Sequence, residues 1–170
     1  MDLHDFDTTS LYFDDEGTPE VEALLGEASE GYADGRAELP LLRAYFKAPD
    51  QLTVLVGLYR FFFYQHRLDD ADDVAIRAMA VSGERLGFPP DWESLDGTSL
   101  AHGTRQSMGL ARFWLMSLKA RAILALRRQQ MEEAAAMLGK LRELDEMDRL
   151  GVAPLIAVLE AARVAAAEPA

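Results

Sequence analysis

The chain has 170 residues, 49% of them apolar, a formal net charge of −12 and no cysteine. That length supports one domain with a sizeable core, since a chain near 150 residues hides roughly 70% of the surface its unfolded form exposes. The lack of cysteine excludes disulfides, thiolate metal sites and thiol nucleophiles and fits a cytoplasmic protein, while the acidic balance argues against nucleic acid, whose phosphates need a basic face. No run of eighteen apolar residues offers a membrane span. The opening Met1-Asp2-Leu3-His4-Asp5 lacks the basic-then-apolar order of a signal peptide. Arginine outnumbers lysine 14 to 3, which reads as the bias of a GC-rich bacterial genome.

The charge is divided unevenly. Residues 1–35 hold eleven acids and neither Lys nor Arg, whereas residues 36–170 hold eighteen acids against seventeen bases. The sequence therefore predicts an acidic flexible arm over residues 1–17 and a nearly neutral body over 18–170. Thr18-Pro19-Glu20 reads as a helix start, with Thr as N-cap, Pro in the first turn and acids at the positive end of the dipole. Gly31 and Gly35 end that helix. A short one with Leu41, Leu42, Tyr45 and Phe46 follows, stopped by Pro49. Asp50 is the expected N-cap of the next, about Gln51 to His66, which is apolar nearly all round and so surrounded by protein. Asp69 and Asp70 open a helix to about Leu86. Gly87, Pro89, Pro90, Gly97 and Gly103 make residues 87–106 a long loop or lid, with Trp92 pinning it to the body. Ser107 starts a helix to about Gln129, Met131 to Asp148 forms another, and Pro154 begins a last one after Gly151. No segment reads as a convincing strand, so the expected class is all-α.

Two stretches repeat one pattern. His66-Arg67-Leu68-Asp69-Asp70-Ala71 and Gln129-Gln130-Met131-Glu132-Glu133-Ala134 each follow an apolar helix and open an Ala/Leu-rich one. With them the chain resembles the tetratricopeptide family, whose unit is two antiparallel helices over 34 residues. In the first unit Leu55, Leu58, Phe62, Ala71 and Ala78 fit the family pattern, while Tyr59 and Gly83 depart. In the second Leu118, Ala122, Ala134 and Leu138 fit, with Leu144-Asp145-Glu146 near the family's closing motif, while Arg121, Ala125 and Leu141 depart. The resemblance implies antiparallel helix pairs stacked as a short solenoid, with the helices before Asp50 and after Gly151 as caps. An all-helical bundle with one coincidental turn motif is the other reading. The segment Leu52–Gly87 also resembles small acidic helical-repeat proteins found with bacterial nitrogen-fixation genes, which implies a nitrogenase component as partner.

The family resemblance places the first helix of each unit along a concave groove. The partner-binding residues it implies are Val56, Arg60, Phe63 and Tyr64, then Met116, Lys119, Ile123 and Arg127, with Thr53 and Leu126 beside them. An apolar floor with cations and no acid suits an acidic or amphipathic partner helix. The acidic N-terminal segment, residues 1–35, would then fold over the groove and compete with that partner.

Residues 97–131 carry no acid and six bases: Arg105, Arg112, Lys119, Arg121, Arg127 and Arg128. Evidence for chemistry is thin. Of the three histidines, His66 sits at a turn where it would cap carbonyls, and His102 lies near Ser99. Gly97-Thr98-Ser99-Leu100-Ala101 falls short of a nucleophile elbow, and Asp69, Asp70, Asp72 and Asp73 lack the spacing of a calcium loop. The expectation is a non-enzymatic, cofactor-free adaptor or assembly chaperone. The alternatives are a small hydrolase or ligand-binding bundle with residues 87–106 as a lid, and a purely structural oligomer.

Overall fold

Hydrophobic periodicity and capping chemistry place eight α-helices among the described residues, which are 17–32 and 35–167 of a computed structural model, backbone alone at 166 and 167. The acidic arm expected over residues 1–17 lies, but for Gly17, outside them. Helix α1 (Pro19–Gly31) begins as its sequence requires: Thr18 is extended and its hydroxyl accepts from the Val21 N–H at 3.4 Å. It buries Val21 and Ala28 against α2 (Glu38–Lys47). Glu20, Glu22, Glu27 and Glu30 line the exposed face of α1, so part of the acidic N-terminal charge belongs to a helix of the body rather than to an arm.

Helix α3 (Leu52–Tyr64) is the buried apolar helix, with Leu52, Val54, Leu55, Val56, Leu58, Tyr59, Phe61 and Phe62 all inside. Its N-cap is Gln51, without a side-chain bond, instead of the expected Asp50. The Asp50 carboxylate pairs with Arg77 and its carbonyl accepts from Arg85, both on α4 (Leu68–Leu86). These charge-assisted contacts compete with capping, and the helix starts one residue later. Gly87 closes α4 at φ 66°, a left-handed conformation that an L side chain disfavours, and the Phe88 N–H reaches the Gly83 carbonyl at 2.9 Å.

Residues 87–106 are not one long loop. After a 3₁₀ turn at Trp92–Ser94, α5 spans Gly97–Gln106. The glycines obscured it, but Asp96 supplies the N-cap that the helix needs, accepting from the Ser99 N–H at 2.7 Å. Gly103 is required by packing: a Cβ there would lie 2.4 Å from the Phe88 ring. Leu95 is fully buried and Trp92 half-buried, so the connection is fastened to the body, as Trp92 suggested.

Helices α6 (Met108–Arg127), α7 (Met131–Leu144) and α8 (Ala153–Ala167) complete the chain, with the Ser107 hydroxyl capping α6 through the Leu110 N–H. The packing order follows the sequence: α1 on α2, α2 on α3, α3 on α4, α4 on α6, α6 on α7 and α7 on α8, with α5 laid against α6 and α7. The fold is all-α, built from successive antiparallel helix pairs. Ala71, Ala75 and Ala78 on α4 and Ala111, Ala122 and Ala125 on α6 are all buried. Small side chains at buried positions of both helices suit close packing of α4 on α6, the most extensive helix contact among the described residues.

The two similar turns are the same structure. His66 and Gln129 both take positive φ, 58° and 62°. The N–H groups of Gln65, His66 and Arg67 donate to the carbonyls of Phe61, Phe63 and Phe62. Those of Arg128, Gln129 and Gln130 donate to Leu124, Leu126 and Ala125 in the same order. The next residues match too: Arg67 lies at φ −85°, ψ 72° and Gln130 at φ −86°, ψ 70°. The six backbone bonds occupy equivalent positions, so the two turns share one local geometry, a left-handed helix ending of the kind that also closes α4 at Gly87. Because a left-handed backbone costs an L side chain roughly 1 kcal/mol relative to glycine, Gln129→Gly is expected to stabilise the protein by about 0.5–1 kcal/mol. Thermal denaturation should show a Tm higher by about 2–4 °C, and a lower Tm would contradict the turn geometry. His66→Gly should gain less, since the His66 ring has a partner to lose.

Candidate functional site

The groove residues inferred from the helix-pair pattern divide by burial. Val56 and Met116 are 1% and 0% exposed, inside the core and out of a partner's reach. Helix α3 is covered by α2 and α4, and α6 by α4, α5 and α7, so most of each circumference is interior. Lys119 is a further correction. It is buried at 7% exposure, and its ammonium donates to the Leu150 carbonyl at 2.7 Å. It fastens the turn before α8 instead of facing a ligand. Arg60, Phe63 and Ile123 are half-buried, and Tyr64 and Arg127 are exposed.

Three of these residues meet where the C-termini of α3 and α6 lie side by side. The Arg127 guanidinium stands over the Phe63 ring, 4.7 Å from its centroid. An Arg127 Nη2 contacts His66 Nδ1 at 3.1 Å. Phe63 stacks on Tyr59 at 5.9 Å and meets Tyr64 edge-on at 5.8 Å. Cation–π contact at such exposure contributes about 0.5–1 kcal/mol, a bias of a few-fold toward this orientation of Arg127. His66 serves this cluster through its ring, while its backbone forms the left-handed turn residue. That replaces the carbonyl-capping role expected of its side chain.

Arg60 lies apart from that cluster, in a cleft of about 550 Å³ between α1 and α3 with Leu25, Tyr32, Thr53 and Gly57. The Tyr32 hydroxyl donates to the Gly57 carbonyl at 3.0 Å. Burial pushes its pKa up to about 12, with Arg60 pulling the other way.

Two more cations of the acid-free stretch, Arg121 and Arg128, are engaged internally, while Arg105 and Arg112 are exposed. Asp72, at 7% exposure, accepts from Arg121 Nε and from Arg128 Nη2, each at 2.9 Å. Arg121 reaches Glu133 at 3.5 Å, and Arg128 reaches Asp69 at 2.9 Å. Burial lowers the Arg128 pKa most strongly of any single influence, but its bonds to Asp69 and Asp72 together outweigh that, and the net shift is upward. Asp69 and Asp72 are therefore part of an ion network that joins α4, α6 and α7, while Asp70 pairs with Arg67. The network also explains why Arg121 departs from the family pattern: its partner lies across the seam. Sequence reasoning missed this network, although acids at i and i+3 and arginines at i and i+7 signal it once the two helices are known to touch.

His102 bonds Gln106 at 3.2 Å. The Ser99 hydroxyl and N–H both engage Asp96, and the N–H bond is the largest influence holding that carboxyl below its usual range. The structure does not bring Ser99 and His102 into a hydrogen-bonded pair. Among the described residues no group of three or more His, Asp or Glu is arranged to hold a metal ion, and no helix is long and apolar enough to cross a membrane.

The Lys119 bond is directly testable. Lys119→Met keeps the stem but strips the Leu150 carbonyl of its donor, which should cost about 1–3 kcal/mol. Amide exchange should rise first at the 145–152 turn and in α8. Unchanged stability would return Lys119 to the role of a groove cation.

The chain is 48% identical over 159 residues to a protein described as an uncharacterized 19.8 kDa protein in the nifW 5′ region of Azotobacter chroococcum mcd 1. The alignment covers 94% of this chain and 89% of the relative. No family model matches the chain, and no solved structure does. At that identity and coverage, the chain belongs to the family of the nifW 5′-region protein.

Proposed function

We propose that this protein is a non-enzymatic adaptor or assembly chaperone of nitrogen fixation, tetratricopeptide-like in build and resident in the cytoplasm. It docks a nitrogenase component through the edge where α3 and α6 end. The observation that carries this reading is the cluster of Phe63, Tyr64 and Arg127 at the junction of two helix pairs that share one turn geometry. Tyr and Arg are the residue types that concentrate binding energy in protein interfaces, and an orientated guanidinium beside aromatic rings costs little further entropy to engage. The neighbourhood of the relative, the nifW 5′ region, supports nitrogen fixation as the setting. Arg127 favours an acidic face on the partner, with charge setting orientation and encounter rate more than affinity.

The test is a calorimetric titration of the full-length protein with each purified nitrogenase component at low salt. Saturable binding with a Kd of about 1 μM, weakened by added salt, is expected for one component. Tyr64→Ala combined with Arg127→Glu should weaken it at least 30-fold, a loss of about 2 kcal/mol. No heat with either component, or binding that the double variant leaves intact, would overturn the proposal.

A further inference from the structure

A second cleft, of about 640 Å³, opens between α4, the Gly87–Trp92 segment and α6. Its walls are mostly apolar, with Met79, Phe88, Trp92 and Trp114 supplying much of the surface. Phe88 and Trp114 are set edge to face, 5.6 Å between centroids. Trp114 is 2% exposed, yet its indole N–H donates to no acceptor in the described structure. That N–H is not among the wholly buried polar atoms of the described residues, so it opens onto the cleft and presents a donor that a ligand atom can meet. Gly83 forms the wall next to it. A Cβ at that position would lie 3.1 Å from the indole nitrogen and 3.4 Å from Cδ1, so the missing side chain is what keeps the N–H edge open.

The charged groups of the lining narrow the ligand class. They are Glu84, which is exposed, and Arg121, whose guanidinium is committed to Asp72 and Glu133. Neither is offered to a ligand as an unbalanced buried charge. The volume falls within the roughly 300–1,000 Å³ of small-molecule sites, which combine apolar walls with a few placed polar groups. We propose that this cleft binds a small, uncharged, largely apolar molecule that presents one acceptor oxygen to the Trp114 indole N–H. The site is separate from the Phe63–Tyr64–Arg127 surface and stands independently of the adaptor function.

Trp92 and Trp114 are the chain's two tryptophans, and both line the cleft, so the indole region of a ¹⁵N NMR spectrum reports on it with two signals. The probes are acetophenone and ethylbenzene, alike in shape but differing in the acceptor oxygen. Acetophenone should move the Trp114 indole signal downfield and saturably, and ethylbenzene should bind at least about fivefold more weakly. Gly83→Ala should abolish the downfield shift. Ile76→Glu, at an exposed position on the cleft wall, should weaken acetophenone binding without threatening the fold. Lack of a saturable shift, or equal affinity for both probes, would overturn the proposal. Saturation by N-acetyl-Pro-Leu-Pro-amide where acetophenone fails would assign the cleft to a peptide and overturn it as well.

Discussion

One carboxylate joins the two halves of this molecule. Asp72 sits in the first turns of α4, buried, and Arg121 on α6 and Arg128 just past its end converge on it. The seam between α4 and α6 is where the first helix pair meets the second, and alanines on both sides suit close packing. In that setting an unpaired carboxylate would be expensive, and so would either guanidinium. Together they fix the register of α6 against α4 in a way that alanine packing alone would not. The register in turn places the C-terminal end of α6 beside that of α3. Arg127, on the same stretch as Arg121 and Arg128, reaches the Phe63 ring at that end.

Much of the fold was legible because its signals are local. Thr18-Pro19 and Ser107 mark helix starts by capping chemistry, Pro49 and Gly87 mark stops, and the apolar stretch of α3, which could also have been a strand at Phe61–Tyr64, is long enough and far enough from any hairpin turn to favour an enclosed helix. The matched turns were legible as a repeat even though neither carries glycine at its left-handed position. What stayed hidden depends on tertiary contact. Helix α5 looked like loop because its glycines read as breakers, when Gly103 is there to admit the Phe88 ring. Asp50 looked like a cap because nothing nearby in sequence reveals Arg77 and Arg85.

The same limit governs the site. A repeat pattern tells which face of a helix points toward a groove, but not how deeply neighbouring helices cover that face. Val56 and Met116 have the right phase and lie inside. Lys119 is the instructive residue: its charge required either exposure or a partner, and the Leu150 carbonyl, thirty-one residues away, is that partner, which lets the stem fill the core. The accessible remainder is smaller than the sequence suggested and lies at one edge. The apolar cleft around Trp114 went unread for the converse reason, since nothing in a sequence distinguishes a tryptophan packed on all sides from one whose N–H is left open.

The claim that the Asp72 seam organises the fold is tested most directly by a double-mutant cycle of Asp72→Ala and Arg121→Ala, read by chemical denaturation. Asp72→Ala should cost about 3 kcal/mol, because it takes the shared acid from two part-buried guanidiniums, and Arg121→Ala should cost less, because Arg128 still pairs with Asp72. The pair should cost less than the sum by about 1.5 kcal/mol or more, the signature of a direct coupling. Additivity within about 0.5 kcal/mol would mean that the two residues act independently and that packing alone holds the two helix pairs together.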